Sequence, residues 1–124
     1  MKYTDLQVWQ KSMFFVEKIY EQTKQFPDTE RFGLIFQIQR AVVSIPSNIA
    51  EGHGRKLTNV YLNHLSIAMG SLMEVETQLR IANRLNYLNL EVLDKLLNLA
   101  SEIGKMLNGL MKTLKNNYVQ KTES

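Results

Sequence analysis

The sequence predicts an all-α fold, a left-handed up-and-down bundle of four helices whose second helix is kinked at a proline, and three observations carry that prediction. Apolar residues recur three and four positions apart through four long segments. Short stretches rich in Gly, Pro and Asn separate the segments. No segment alternates apolar and polar residues over the length of a strand, so no sheet is expected.

In the first segment Leu6, Trp9, Met13, Val16 and Tyr20 lie on one stripe of a helix that Asp5 or Thr4 is placed to cap. These five are the expected inward face. Phe26-Pro27-Asp28 ends the pattern, since proline lacks a donor and disfavours helix at the residue before it. Asp28 or Thr29 is then the expected cap of the second helix, whose stripe is Ile35, Ile38, Val42, Ile45 and Ile49 and whose end is Gly52-His53-Gly54. Pro46 leaves the Val42 carbonyl without its usual partner, which predicts the kink. Thr58 or Asn59 is the expected cap of the third helix, with the stripe Tyr61, Leu65, Ala68, Leu72, Val75, Leu79 and Ala82. An asparagine-rich turn from Asn83 to Asn89 precedes the fourth, with the stripe Leu93, Leu96, Ala100, Ile103, Leu107, Leu110 and Leu114. The seven-residue repeat predicts left-handed packing.

The chain has 124 residues, 44% of them hydrophobic, with 6 Gly and 2 Pro. This predicts one folded domain over 1–118 and a frayed tail over 119–124, with fraying setting in near Asn116, and excludes disordered and collagen-like classes. No apolar run reaches the roughly 18 residues of a membrane span and Met1-Lys2-Tyr3-Thr4-Asp5 opens no signal peptide, so a cytoplasmic protein without membrane contact is expected. The absence of cysteine removes disulfides, thiolate metal sites and cysteine nucleophiles.

Each stripe has an apolar shoulder: Phe14 and Phe15 on the first helix, Phe32 and Phe36 on the second, Leu62, Met69 and Met73 on the third, Leu90, Leu97, Met106 and Met111 on the fourth. One four-helix core does not readily bury so much, and the excess predicts a homo-oligomer.

Catalytic chemistry finds little purchase. Neither His53 nor His64 follows a Glu by three residues, so the carboxylate-bridged metal sites of bundles are not expected, and both histidines are read as solvent-facing. No phosphate-binding glycine loop is present, and Gly52-His53-Gly54-Arg55 lacks a preceding strand. The expectation is no enzyme, no catalytic residue, no metal, no cofactor and no small-molecule substrate. The most unusual stretch, Ser44 to Gly52, sets a proline among polar side chains. With the third helix running antiparallel, Arg40, Ser44, Ser47, Asn48, Glu51, Ser71, Glu74 and Glu76 form an expected structural polar cluster. In it Ser44 or Ser47 bonds carbonyls freed by Pro46, Asn48 ties the helix end to the turn, Arg40 pairs with Glu74 or Glu76, and Gly70-Ser71 lets two backbones approach.

Fifteen Lys+Arg against twelve Asp+Glu give +3. Candidates for phosphate contact are Lys11 and Lys18 on the first helix, Arg55 and Lys56 in the turn, Arg80 and Arg84 on the third helix, and Lys105, Lys112 and Lys115 on the fourth.

Three runs, Leu6 to Lys11, Gln37 to Gly52 and Ala68 to Leu79, closely resemble the four-helix bundle proteins first known from open reading frames inside intervening sequences of bacterial 23S ribosomal RNA genes, over roughly residues 3–115. The resemblance implies a ring-like homopentamer without an assigned activity. It extends to the accessory variability protein of diversity-generating retroelements, a basic pentamer that associates with a reverse transcriptase and nucleic acid. Many relatives have paired arginines where this chain has Gln39-Arg40, which removes one positive charge per subunit. The leading expectation is therefore a non-enzymatic homo-oligomer that binds RNA or a nucleic-acid-associated protein through a basic face. The alternative is a protein scaffold that binds no nucleic acid.

Overall fold

The structure, a computed structural model, describes the backbone of residues 1–123 and the side chains through Val119. Four α-helices carry the chain: α1 (Gln7–Thr23), α2 (Leu34–His53), α3 (Thr58–Arg84) and α4 (Leu90–Glu123). Single 3-10 turns at Tyr3–Asp5 and Asp28–Glu30 precede α1 and α2. No strand occurs among the described residues, and no described helix is long and apolar enough to cross a membrane. Each helix packs on its neighbours in sequence, and α1 closes on α4. Cross-helix contacts fix the directions: Gln39 reaches Thr23, Ser44 meets Ser71, Asn48 meets His64, Ser66 meets Met111 and Lys11 meets Glu102. Higher numbers on one helix meet lower numbers on the next in every pair, so the bundle runs up, down, up, down.

The core is built from Ile38, Val42, Ile45 and Ile49 of α2, Leu65 to Ala82 of α3, and Leu93, Leu96, Ala100, Ile103 and Leu107 of α4, on the expected stripes. On α1 the expectation fails. The inward face is Val8, Ser12, Phe15, Ile19 and Thr23, and Phe15, expected as a shoulder, has 0% exposure. Leu6, Trp9 and Val16 are half-buried, and Met13 and Tyr20 are exposed. The two stripes of α1 are one residue, about 100°, apart. Ser12 interrupts the true one and hides it; its hydroxyl is satisfied inside the core by donating to the Val8 carbonyl at 2.7 Å.

The helix ends differ from expectation in a common way. α1 is preceded by Leu6, with Asp5 spent on the Lys2 amide at 3.1 Å, and α3 by Leu57, with no capping side chain at either. α2 begins six residues after Asp28, behind Gly33, where the Glu30 carboxylate accepts the Leu34 amide at 3.2 Å. The other Glu30 oxygen accepts the Tyr87 hydroxyl at 2.9 Å, which links the α1–α2 and α3–α4 connections at one end of the bundle. Asn86 takes the left-handed conformation (φ 63°) that asparagine tolerates, and Asn89 accepts the Val92 amide at 2.8 Å to start α4. α2 runs through Pro46 unbroken. α4 stays helical past Asn116, where fraying was expected, to Glu123; of the expected tail, Ser124 and the side chains beyond Val119 lie outside the described residues.

Candidate functional site

Between α2 and α3 two polar stripes face each other. Gln37, Ser44 and Glu51 are seven apart on α2, and His64, Ser71 and Gln78 are seven apart on α3, so antiparallel packing sets 37 beside 78, 44 beside 71 and 51 beside 64. The hydrogen bonds order themselves from one fixed point. The Ser44 carbonyl only accepts, so the Asn48 amide nitrogen, 2.9 Å away, must face it, which turns Asn48 Oδ1 toward His64 Nδ1 at 3.0 Å and requires the proton on Nδ1. Asn48 Nδ2 also lies 3.0 Å from Ser44 Oγ, which receives the Ser71 hydroxyl at 2.9 Å. Glu51 stands 3.6 Å from His64 Nδ1.

Of the eight residues expected in the polar cluster, Ser44, Asn48, Ser71 and Glu51 come together here, and the other expectations need correction. His64, expected in solvent, is half-buried and part of it. Ser47 faces away and donates to the Val43 carbonyl at 2.8 Å, and Asn48 spans helices instead of tying α2 to the turn. Arg40 and Glu74 are exposed, Glu76 is half-buried, and none of the three makes an ion pair among the described residues, although Arg40 and Glu74 line one cleft of about 310 Å³ with Phe36, Ser44 and Ser71. Buried Gln78 has a side-chain oxygen without a partner, as does the Tyr61 hydroxyl, whose pKa burial raises above its ordinary value. The close approach of α2 to α3 falls at Gly52, where a Cβ would meet His64 Cβ and Tyr61 Cδ1 at 2.8 Å. Gly70, expected in that role, has nothing within 4 Å.

The nine basic candidates do not form one patch. Lys11 and Lys18 flank the α1–α4 seam and are engaged by Glu102 and by Glu21. Arg80 and Arg84 are exposed at the end of α3 that holds the turn before α4. Arg55 and Lys56, in the connection before α3, share the opposite end of the bundle with Lys112 and Lys115 on the last turns of α4; Lys105 is exposed further along. These last five have no carboxylate partner among the described residues.

The displaced stripe of α1 makes a third surface. Trp9, Met13 and Val16, with Tyr3 edge-on to Trp9 at 5.4 Å, line a shallow groove against Val43, Pro46 and Ala50 of α2. Tyr20, Ile35 and Phe32 continue it toward the α1–α2 connection. Ile67 and Ile81 are also exposed on α3, fourteen residues apart, with Glu74 midway between them.

The family model described as 23S rRNA-intervening sequence protein matches residues 4–109. Among solved structures, one similar chain is a protein with unknown function from the S23 ribosomal protein family of Bacteroides thetaiotaomicron, at 29% identity and a TM-score of 0.79, over 85% of this chain and 98% of that one. No curated protein matches the sequence.

Proposed function

We propose that this chain, which belongs to the 23S rRNA-intervening sequence protein family, is a non-enzymatic cytoplasmic bundle that assembles with copies of itself into a ring and binds RNA with the end of the ring that carries Arg55, Lys56, Lys112 and Lys115. The observation that carries the assembly is the groove of Trp9, Met13 and Val16 on α1 with Val43, Pro46 and Ala50 on α2, an apolar surface on which no helix of the described residues is laid. Five subunits are what the sequence resemblance implies. A ring repeats the unpaired cations once per subunit, so two to four per chain become roughly ten to twenty facing one polyanion.

Engagement of Lys11 and Lys18 by carboxylates favours a second reading, a protein scaffold that binds no nucleic acid. Sedimentation velocity with a labelled structured RNA, at low and near-physiological salt, separates the two. A ring that carries RNA and releases it steeply as salt rises is the expected result. A ring that ignores RNA at both salts gives the scaffold, and a monomer refutes the assembly.

A further inference from the structure

We infer that the cleft between α2 and α3 lined by Phe36, Arg40, Ser44, Ser71 and Glu74 takes a single unpaired guanine base. The inference rests on the RNA-binding reading and adds to it a base-specific pocket, on a side of the bundle distinct from its basic end.

The cleft's volume, about 310 Å³, has room for one base. Its two charged groups, the guanidinium of Arg40 and the carboxylate of Glu74, come from facing helices and do not pair with each other or with any described residue. One is a pure donor and the other a pure acceptor. Guanine is the base whose edges match that pair: N7 and O6 only accept, and the adjacent N1–H and N2–H groups only donate. Adenine offers a donor beside N7 and an acceptor at N1, so it mismatches both side chains. Cytosine and uracil lack the N7 side altogether.

Two further features fit a base. Phe36 is 54% exposed at the edge of the cleft and offers a ring face for stacking. Ser44 and Ser71 carry two hydroxyl protons and spend one on each other, while the Asn48 amide also donates to Ser44 Oγ. One hydroxyl proton is left for an acceptor, and O6 or a phosphate oxygen provides one. The contact from Asn48, itself held by His64, keeps this hydroxyl pair in register between the helices.

The test titrates guanosine 5′-monophosphate into the full-length protein, with adenosine 5′-monophosphate and glycine as controls, and follows backbone amide resonances. In parallel, a uridine decamer with one central guanosine is compared with the all-uridine decamer by fluorescence anisotropy. We expect saturable shifts at Phe36, Gln37 and Ser71 with the guanine nucleotide, binding about tenfold weaker for the adenine one, and a similar preference for the guanosine decamer. Glu74→Gln, at an exposed position, should bring both preferences close to one without moving the thermal midpoint or the salt dependence of decamer binding. Equal binding of the two nucleotides, preferences unchanged in Glu74→Gln, or glycine competing as well as the nucleotide overturns the inference. Decamers that bind without preference sink the base pocket and leave RNA binding standing. Nucleotide selectivity without decamer binding sinks the RNA reading and leaves the pocket.

Discussion

Replacing Gly52 by alanine asks whether the close approach of α2 and α3 governs stability. An added Cβ would lie 2.8 Å from His64 Cβ and from Tyr61 Cδ1, and 3.3 Å from the Tyr61 carbonyl oxygen. Favourable carbon contacts lie at about 3.5–4.0 Å, so α3 must retreat by several tenths of an ångström. Neither obstacle is a flexible tip: one atom is bonded to the α3 backbone, and the other belongs to a ring packed edge-on against His53 at 5.9 Å. Retreat also stretches the Asn48–His64 hydrogen bond one turn away. Overpacking of this kind costs about 1–3 kcal/mol, and the better helix propensity of alanine offsets up to about 1 kcal/mol. The net expectation is a loss of up to about 2 kcal/mol. With roughly 2 cal/mol/K of unfolding entropy per residue, that lowers the thermal midpoint by up to about 8 °C. Gly70→Ala, where nothing lies within 4 Å of the new atom, keeps only the propensity gain and should raise the midpoint by about 2–4 °C. Thermal unfolding followed by circular dichroism at fixed protein concentration reads both. If Gly52→Ala stabilises as much as Gly70→Ala does, the packing argument is refuted.

Other consequences follow from the same geometry. Phe15→Ala removes a fully buried ring and should cost about 3–5 kcal/mol, whereas Trp9→Ala, at a half-buried ring, should cost less than half of that and act on sedimentation more than on the thermal midpoint; equal losses would return Trp9 to the core. Replacing Arg55, Lys112 and Lys115 together by glutamine should flatten the salt dependence of RNA binding by about three in log–log slope per subunit contacted, while the same change at Lys11 and Lys18 should leave it nearly unchanged. Tyr87 donates its hydroxyl to Glu30, which, with burial and the negative charge of Glu30, raises its pKa above the ordinary 10.0. A raised folded value means a contribution that is complete below about pH 10 and lost as pH climbs through the folded pKa. Urea midpoints should therefore hold level up to about pH 10 and fall beyond it, with a shallower fall in Tyr87→Phe; an identical fall in that variant would remove the Glu30 link.

Much of the candidate site was legible in outline. The run from Ser44 to Glu51 stands out because polar groups and a proline interrupt an apolar helix, and its partner Ser71 follows once α3 is known to run antiparallel. His64 and Gln78 were missed, although a signal was present: they are spaced seven from Ser71, as Gln37 and Glu51 are from Ser44. Two polar stripes of equal period on consecutive helices predict a ladder between them. Arg40 was misjudged for a different reason, since a charged residue in an apolar run is equally consistent with a buried pair and with an outward face.

The sequence by itself determined the class of fold, the number of helices and three of the four core stripes. It could do so because the period of an α-helix is a local property that each segment writes independently. Only the tertiary structure decided which stripe of α1 turns inward. Val8–Phe15–Ile19 and Trp9–Met13–Val16–Tyr20 satisfy the same period, and only packing against the other three helices selects between them. The close approach at Gly52, the pairing of Lys11 with Glu102 and the cleft between Arg40 and Glu74 were decided there too. Each depends on distances between residues far apart in the chain, and no local pattern carries those distances.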